Sequence, residues 1–513
     1  MNGAESLVRT VHGAGVEVCF ANPGTTELAL VAALDAAPGI RAVLGLFEGV
    51  CSGAADGYAR MAGKPALALF HLGPGFANGI ANLHNARRAR SPVVSLVGDH
   101  ATWHRGADAP LASDIESLAR PVSRWVRTST SAAGVAQDSA EAVAASAAGG
   151  VATLILPSDC QGEPGSGPVP ARAAGSAPRA PAGRVEAVAA ELRRGRPGAL
   201  FLGGRALQER GQRAAARAAA RAGCRVVAEC FPARVERGAG MPRLERIPYF
   251  PERAMAFLEG LQLLVLAGAP EPVSFFGYPG VPSRLAPGGC RIDLLAEPEE
   301  DVEAALEDLA DALDAPAAGP GPASSRPPPA APQGRLTAEA VGAVLALCQP
   351  EGAIVVDESA TTGLAYFYPA AGSPRHTLLT LTGGSIGMGP ACAVGAAVAC
   401  PDRTVVSFQG DGGAMYTLQS LWTQAREQLH VVTLICANRS YRVLQVELER
   451  AGLSQPGPKT RSLTDLSGPA IDWVLLARGM GVPATRVDEA EGLRRELARA
   501  LAEPGPHLVE MLL

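Results

Sequence analysis

The stretches TVVSFQGDGGAMY (404–416) and LHVVTLICANRSY (429–441) decide the fold. Each opens on an apolar run rich in β-branched residues, the pattern of a strand covered on both faces. An amphipathic stretch lies between them, so the order is strand, helix, strand. Such a unit crosses over right-handedly, and both strand ends emerge on the same edge of the sheet. There the first strand delivers Gly410-Asp411-Gly412-Gly413 and the second delivers Asn438. A carboxylate and an amide oxygen side by side are hard donors, suited to a Mg²⁺ ion that also bridges a diphosphate. The glycines leave the backbone open, so N–H groups at the next helix start can meet phosphate oxygens. The competing reading is a glycine turn with a strand-end Asn that caps its own loop.

The same alternation runs outward through the chain. Apolar runs predict strands at 16–21, 42–47, 66–71, 93–97 and 152–156, then at 199–202, 225–228, 263–267 and 291–294. A last group falls at 353–356, 404–408, 431–437 and 507–511. Two Pro-, Gly- and Ala-rich stretches without apolar period, 161–183 and 315–334, separate the groups as linkers. The expectation is three successive α/β domains with parallel sheets, at 1–163, 184–314 and 335–513.

Composition narrows the function. In 513 residues, 45 Lys+Arg face 50 Asp+Glu, a net charge of −5 that draws neither nucleic acid nor an anionic membrane. No apolar run is long enough to span a bilayer, and the N-terminal MNGAESLVRT lacks a signal-peptide core. Ten cysteines without a C-x-x-C pair argue for reduced thiols in the cytoplasm and against a zinc cluster. Lys64 and Lys459 are the only lysines, which leaves little room for Schiff-base chemistry. The glycine segments lack G-x-G-x-x-G spacing after a first strand, so a nicotinamide dehydrogenase is not expected.

The GDGG segment with its downstream Asn resembles the thiamine-diphosphate enzymes, and the resemblance runs over nearly the whole chain in order. It implies that Asp411, Asn438 and the backbone carbonyl of Ser440 hold Mg²⁺ on the diphosphate, with Gly410, Gly412 and Gly413 beside it. In RAVLGLFEGVCSGAADGYAR (41–60), Glu48 could be a helix N-terminal charge. The resemblance instead implies a hydrogen bond from Glu48 to the pyrimidine N1′ of the cofactor, activating it. ANPGTTE (21–27) resembles the family's loop by the pyrimidine, through Asn22, Pro23 and Gly24. HLGPGFANG (71–79) places Asn78 where family members contact the cofactor. TGGSIGMGPA (382–391) resembles the segment whose carbonyl, here of Gly384, receives the 4′-amino group, while Ile386 bends the cofactor. DESATT (357–362) makes Thr361 a phosphate donor. In the family the Glu and the Asp meet across a subunit interface, which implies a homodimer at minimum and suggests a homotetramer.

Two branches of the family compete. FEG, AADGYAR and NLHNARRA resemble acetolactate synthase large subunits. Synthases carry a Phe-Gln pair in the loop after the fourth strand, and GDHATWHRGADAPLAS (98–113) has Pro110 and Leu111 there. His71 stands where benzoylformate decarboxylase has an active-site His, positioned for proton transfer; a satisfied strand-end histidine is the plain alternative. Thr25 replaces that enzyme's Ser, and PVSFFGYPG (272–280) offers Phe275 or Phe276 where it has a second His. Arg442 would pair with a polar substrate or with solvent. The expectation is a thiamine-diphosphate- and Mg²⁺-dependent decarboxylase or carboligase for a 2-oxo acid, resembling benzoylformate decarboxylase. An acetolactate synthase type is the first alternative, and a non-catalytic cofactor-binding relative the second. No FAD is expected, because GGR (203–205) is a lone glycine turn and 241–252 offers no ring site.

Overall fold

A computed structural model describes residues 1–170, 175–316, 329–453 and 455–513. Parts of both expected linkers, 171–174 and 317–328, lie outside the described residues. The chain divides into two units. One joins Met1–Gly175, Ala330–Tyr368 and Leu381–Leu513; the other joins Ser176–Pro329 and Pro369–Thr380.

The first unit opens with β1 (Val18–Asn22), β2 (Arg41–Leu44), β3 (Ala66–Phe70), β4 (Val93–Asp99), β5 (Trp125–Thr128) and β6 (Val151–Pro157). They form one sheet in the order β2-β1-β3-β4-β6-β5, every pair parallel. The central β3, β4 and β6 are buried at every position. Their Leu and Val side chains pack with the helices on one face into a core that includes Leu7, Val11, Leu67, Leu69, Leu96 and Leu154. Each such side chain contributes about 1.5–3 kcal/mol on leaving water. The expected run 42–47 stops early, at Leu44. Gly45 breaks it, and Glu48 becomes the first residue of the helix Glu48–Ala62 rather than a strand end.

The unit's second sheet holds β13 (Ala353–Glu358), β15 (Val405–Gly410), β16 (Val431–Ala437), β17 (Ala484–Val487) and β18 (His507–Leu512), in the order β17-β18-β16-β15-β13. These pairs are parallel too, and Gly410 lies level with Cys436 at the ends of β15 and β16. The helices Glu48–Ala62 and Met388–Ala399 join the two halves of the unit. They touch backbone to backbone. A Cβ on Gly57 would sit 2.1 Å from the Cys392 carbonyl oxygen, and one on Gly395 would sit 1.8 Å from that of Ala54. That approach explains the small residues of GVCSGAADGYAR, which a larger side chain would force apart.

In the second unit β7 (Gly198–Leu202), β8 (Arg225–Ala228), β10 (Glu245–Arg246), β11 (Leu263–Ala267) and β12 (Arg291–Ala296) form a parallel sheet in the order β10-β8-β7-β11-β12. There β9 (Val235–Arg237) pairs antiparallel with β14 (His376–Thr380). The expected α/β architecture with parallel sheets is therefore present. The strands the sequence hid are β5, β9, β10, β14 and β17, which are short or carry Arg, Glu, His and Thr. No helix among the described residues is long and apolar enough to cross a membrane.

Candidate active site

The ends of β1 and β3 and the start of the helix Glu48–Ala62 build the first half of the site. Asn22, last in β1, donates from Nδ2 to the Gly45 carbonyl at 2.8 Å and so fixes the turn that leads to Glu48. Beyond it Gly24 must be glycine, because a Cβ there would fall 2.2 Å from the His71 ring. His71 precedes the helix Leu72–Ala89. Its Nδ1 lies 2.8 Å from Oε2 of Glu27, a carboxyl group that is 0% exposed. Glu27 also accepts from the Gly24 N–H at 2.8 Å and from Thr26 Oγ1 at 2.5 Å. The carboxyl oxygen engages Nδ1, which leaves Nε2 as the other ring nitrogen.

Glu48 is close by. Its Oε2 accepts from Asn78 Nδ2 at 3.0 Å. Gly75 lies between Glu48 and His71: a Cβ on it would be 2.8 Å from Glu48 Oε1 and 3.4 Å from the His71 Cβ. Glu48, His71 and Asn78 are thus gathered at one place. Thr25 is exposed; its neighbour Thr26 makes the contact to Glu27 and approaches His71 Nδ1 at 3.3 Å. Pro110 and Leu111 lie in an exposed turn, Leu111 39% open to solvent.

The second half forms at the ends of β13, β15 and β16. Asp411 accepts from the Gly412 N–H at 2.8 Å and from the Arg439 N–H at 2.7 Å, and this second bond ties it to the residue after Asn438. Asn438 Oδ1 accepts from the Ser440 N–H at 3.0 Å. Asp411 is buried and, among the described residues, has no ion-pair partner. Burial pushes its carboxyl up from the ordinary value, while the Arg439 and Gly412 N–H groups pull it down. Gly410 is open, since the atom nearest to a Cβ there would be 3.8 Å away. Ile386 stands over Gly413, its Cβ 3.9 Å from where a Cβ on that glycine would be. Gly384 has φ 74°. Thr361 is partly exposed, next to Ala360 at φ 50°.

For the other expected residues the structure gives only local contacts. Phe275 and Phe276 belong to the second unit, where Phe275 stacks on Phe231 and Tyr249 and Phe276 on Phe275. Arg442 turns along its own helix toward Gln445 at 3.2 Å and Glu449 at 3.4 Å.

Two carboxyl groups escaped the sequence reading. Glu27 closes the NPGTTE segment, and its position just past that loop was the available signal. Glu358, at the end of β13, accepts from the N–H groups of Gly387 and Gly389. Burial pushes it up to about 7 against those two bonds. A Cβ on Gly413 would come within 3.0 Å of its Oε1, which explains the second glycine after Asp411. An acidic residue closing an apolar strand was its signal.

Comparison with known proteins gives this geometry a family. Residues 1–118 match the thiamine pyrophosphate enzyme N-terminal TPP binding domain, and residues 359–511 match the C-terminal TPP binding domain. A Mycobacterium tuberculosis protein named "Putative acetolactate synthase large subunit IlvX" is 52% identical over 100% of this chain and 99% of its own. Benzoylformate decarboxylase of Pseudomonas aeruginosa is 30% identical over 98% of this chain and 99% of its own. Among solved structures, the thiamine diphosphate-dependent 4-hydroxybenzoylformate decarboxylase of Rhodococcus jostii RHA1 superposes with a TM-score of 0.88 at 26% identity. That likeness covers 99% of this chain and 98% of the other. With both cofactor-binding domains matched and relatives aligned end to end, the chain belongs to the thiamine-pyrophosphate-dependent enzymes, among the 2-oxo acid decarboxylases and acetolactate-synthase-type carboligases.

Proposed function

We propose that this enzyme is a Mg²⁺-dependent, non-oxidative decarboxylase of a 2-oxo acid, of the benzoylformate decarboxylase kind. The single observation that carries the reading is the pairing of His71 with the buried Glu27 carboxyl group beside Glu48. Thiamine diphosphate, when bound, supplies the carbon nucleophile and the electron sink that decarboxylation requires. The chain's residues fit that group. Asp411 is a buried carboxyl group with no ion-pair partner among the described residues, tied to the residue after Asn438, and carboxyl and amide oxygens are the hard donors that Mg²⁺ takes. Asp411, Asn438 and the Ser440 carbonyl would hold the metal, and the Gly410–Gly413 turn and Thr361 the diphosphate. Asn22, Pro23, Gly24, Asn78, Gly384 and Ile386 would seat the pyrimidine, and Glu48 would hold a proton at N1′.

His71 decides the outcome. With Glu27 holding Nδ1, its Nε2 can carry a proton to the acyl carbon once CO₂ has left, and an aldehyde is released. A positive imidazole at that moment is stabilised by the carboxyl group behind it. Leu111, Thr25 and Arg442 would line the substrate pocket. An acetolactate synthase type is the second reading, favoured by the name of the 52% identical relative. Against it stands the turn with Pro110 and Leu111, which offers neither an aromatic ring nor an amide.

Absence of FAD is supported by the end of β7, where the Gly204 N–H that would face a diphosphate is already given to Glu229 at 3.1 Å. A homodimer at minimum, and a homotetramer beyond it, is supported by Leu28, Leu46 and Tyr416. These large apolar side chains are exposed, each within a few residues of Glu27, Glu48 or Asp411. The domain limits 1–163, 184–314 and 335–513 and a cytoplasmic location complete the proposal. The test is CO₂ release from a panel of 2-oxo acids with and without thiamine diphosphate and Mg²⁺. Cofactor-dependent release from at least one acid is expected; none from any would point to the non-catalytic alternative.

A further inference from the structure

Asn78, Asn82 and Asn85 stand at i, i+4 and i+7 of the helix Leu72–Ala89 and so share one face. Asparagine is a poor helix-interior residue, because its amide competes with the backbone. Here the second and third amides are 2% and 0% exposed, so each must find partners inside the protein. Asn85 finds two of its partners on one residue. Its Nδ2 donates to the Ser385 carbonyl at 2.7 Å and its Oδ1 accepts from the Ser385 N–H at 3.2 Å. That is the pairing a neighbouring strand would offer, supplied by a single side chain. Asn82 Oδ1 accepts the other Asn85 proton at 3.0 Å. Its own Nδ2 donates to the Gly49 carbonyl at 2.8 Å and to the Gly387 carbonyl at 3.4 Å.

The segment so held has no regular structure of its own. It runs from Thr382 to Gly387 with Gly384 and Gly387 at φ 74° and 92°, so no helix or sheet ladder of its own pairs its backbone groups. Two further contacts close the grip. Thr382 Oγ1 donates to the Asn85 carbonyl at 2.8 Å, and a Cβ on Gly383 would lie 2.6 Å from Asn85 Oδ1.

We propose that Asn82 and Asn85 are positioning residues for the cofactor. They hold Ser385 so that the Gly384 carbonyl and the Ile386 side chain on either side of it keep one geometry. They also tie that segment to Gly49, next to Glu48. The inference rests on the cofactor assignment made above. It explains why two buried amides are kept in a helix whose packing would be served by Ala or Leu.

The test uses the full-length protein with Asn85→Ala and Asn82→Ala, and with Asn85→Asp as a near-isosteric variant should either alanine variant fail to fold. Three readouts are taken. They are amide hydrogen exchange at 385–387 without cofactor, the affinity for thiamine diphosphate with Mg²⁺, and the near-ultraviolet circular dichroism of the aminopyrimidine at saturation. Asn85→Ala should speed exchange at Ser385 by about tenfold and weaken cofactor binding by about tenfold, as expected for a lost net hydrogen bond. The tautomer signal should change, while exchange in β3 and β4 stays as in the wild type. Affinity and tautomer signal within twofold of wild type would overturn the inference. A wild type that binds no thiamine diphosphate would instead overturn the cofactor assignment, and the exchange readout separates that failure from a failure of the clamp.

Discussion

Replacing Glu358 with Gln should change how the stability of the cofactor-free protein depends on pH. The side chain is buried at the end of β13, and burial lifts its carboxyl from 4.5 to about 7. Between those values the folded protein keeps a proton that the unfolded chain has lost. The raised value therefore contributes its full stability below pH 4.5, and that contribution drains away as pH climbs through 7. At 1.36 kcal/mol per pH unit, the gap from 4.5 to 7 amounts to about 3 kcal/mol. Glutamine cannot titrate. It also sets an NH₂ group against one of the N–H donors of Gly387 and Gly389, which adds a cost that does not vary with pH. Urea unfolding of both proteins in steps from about pH 4.5 to 8 isolates the titrating part as the difference between the two curves. That difference should move by about 3 kcal/mol in favour of Glu358→Gln as pH rises. A difference that stays flat across the range would refute the reasoning and show that Glu358 ionises as an ordinary carboxyl group.

Four further outcomes are expected. Asp411→Ala, like chelation of Mg²⁺, should strip thiamine diphosphate from the protein in equilibrium dialysis; tight retention would remove Asp411 from the metal site. Glu48→Gln should leave cofactor affinity within a few fold of wild type. It should slow exchange of the cofactor's C2 proton, followed by NMR, by at least about a hundredfold, the lower end of general acid–base contributions. Glu27→Gln should lower aldehyde release by about ten- to a hundredfold, since a neutral amide cannot stabilise a positive His71 ring. His71→Ala should raise the share of hydroxyketone among the products, because the competing protonation is slowed.

The architecture could be read from the sequence wherever a strand was buried on both faces. β11 and β16 were predicted with their observed limits, since LLVLA is wholly apolar and VVTLICA is apolar but for the β-branched Thr433. The edge strands β5 and β17 gave no such signal. In β5 and β17, Arg127, Thr485 and Arg486 interrupt the pattern because the strand leaves part of itself in contact with water. The site divides in the same way. Asp411, Asn438 and Glu48 stand out because they interrupt apolar or glycine-rich surroundings at strand ends and helix starts. Glu27, Glu358, Asn82 and Asn85 did not stand out. Each works through a partner distant in sequence: Glu27 through His71, Glu358 through Gly387, and the two amides through Gly49 and Ser385. No local spacing encodes such a partner; only the packed chain brings it into reach.

In the proposed reaction His71 ends the cycle by protonating the acyl carbon. The most direct measurement is NMR analysis of the products formed from benzoylformate and from pyruvate by the wild-type protein, with thiamine diphosphate and Mg²⁺, in D₂O. The account predicts CO₂ and an aldehyde carrying deuterium at the formyl carbon from at least one of the two acids, with little or no acetolactate. Acetolactate as the main product from pyruvate, with no deuterated aldehyde from either acid, would contradict it.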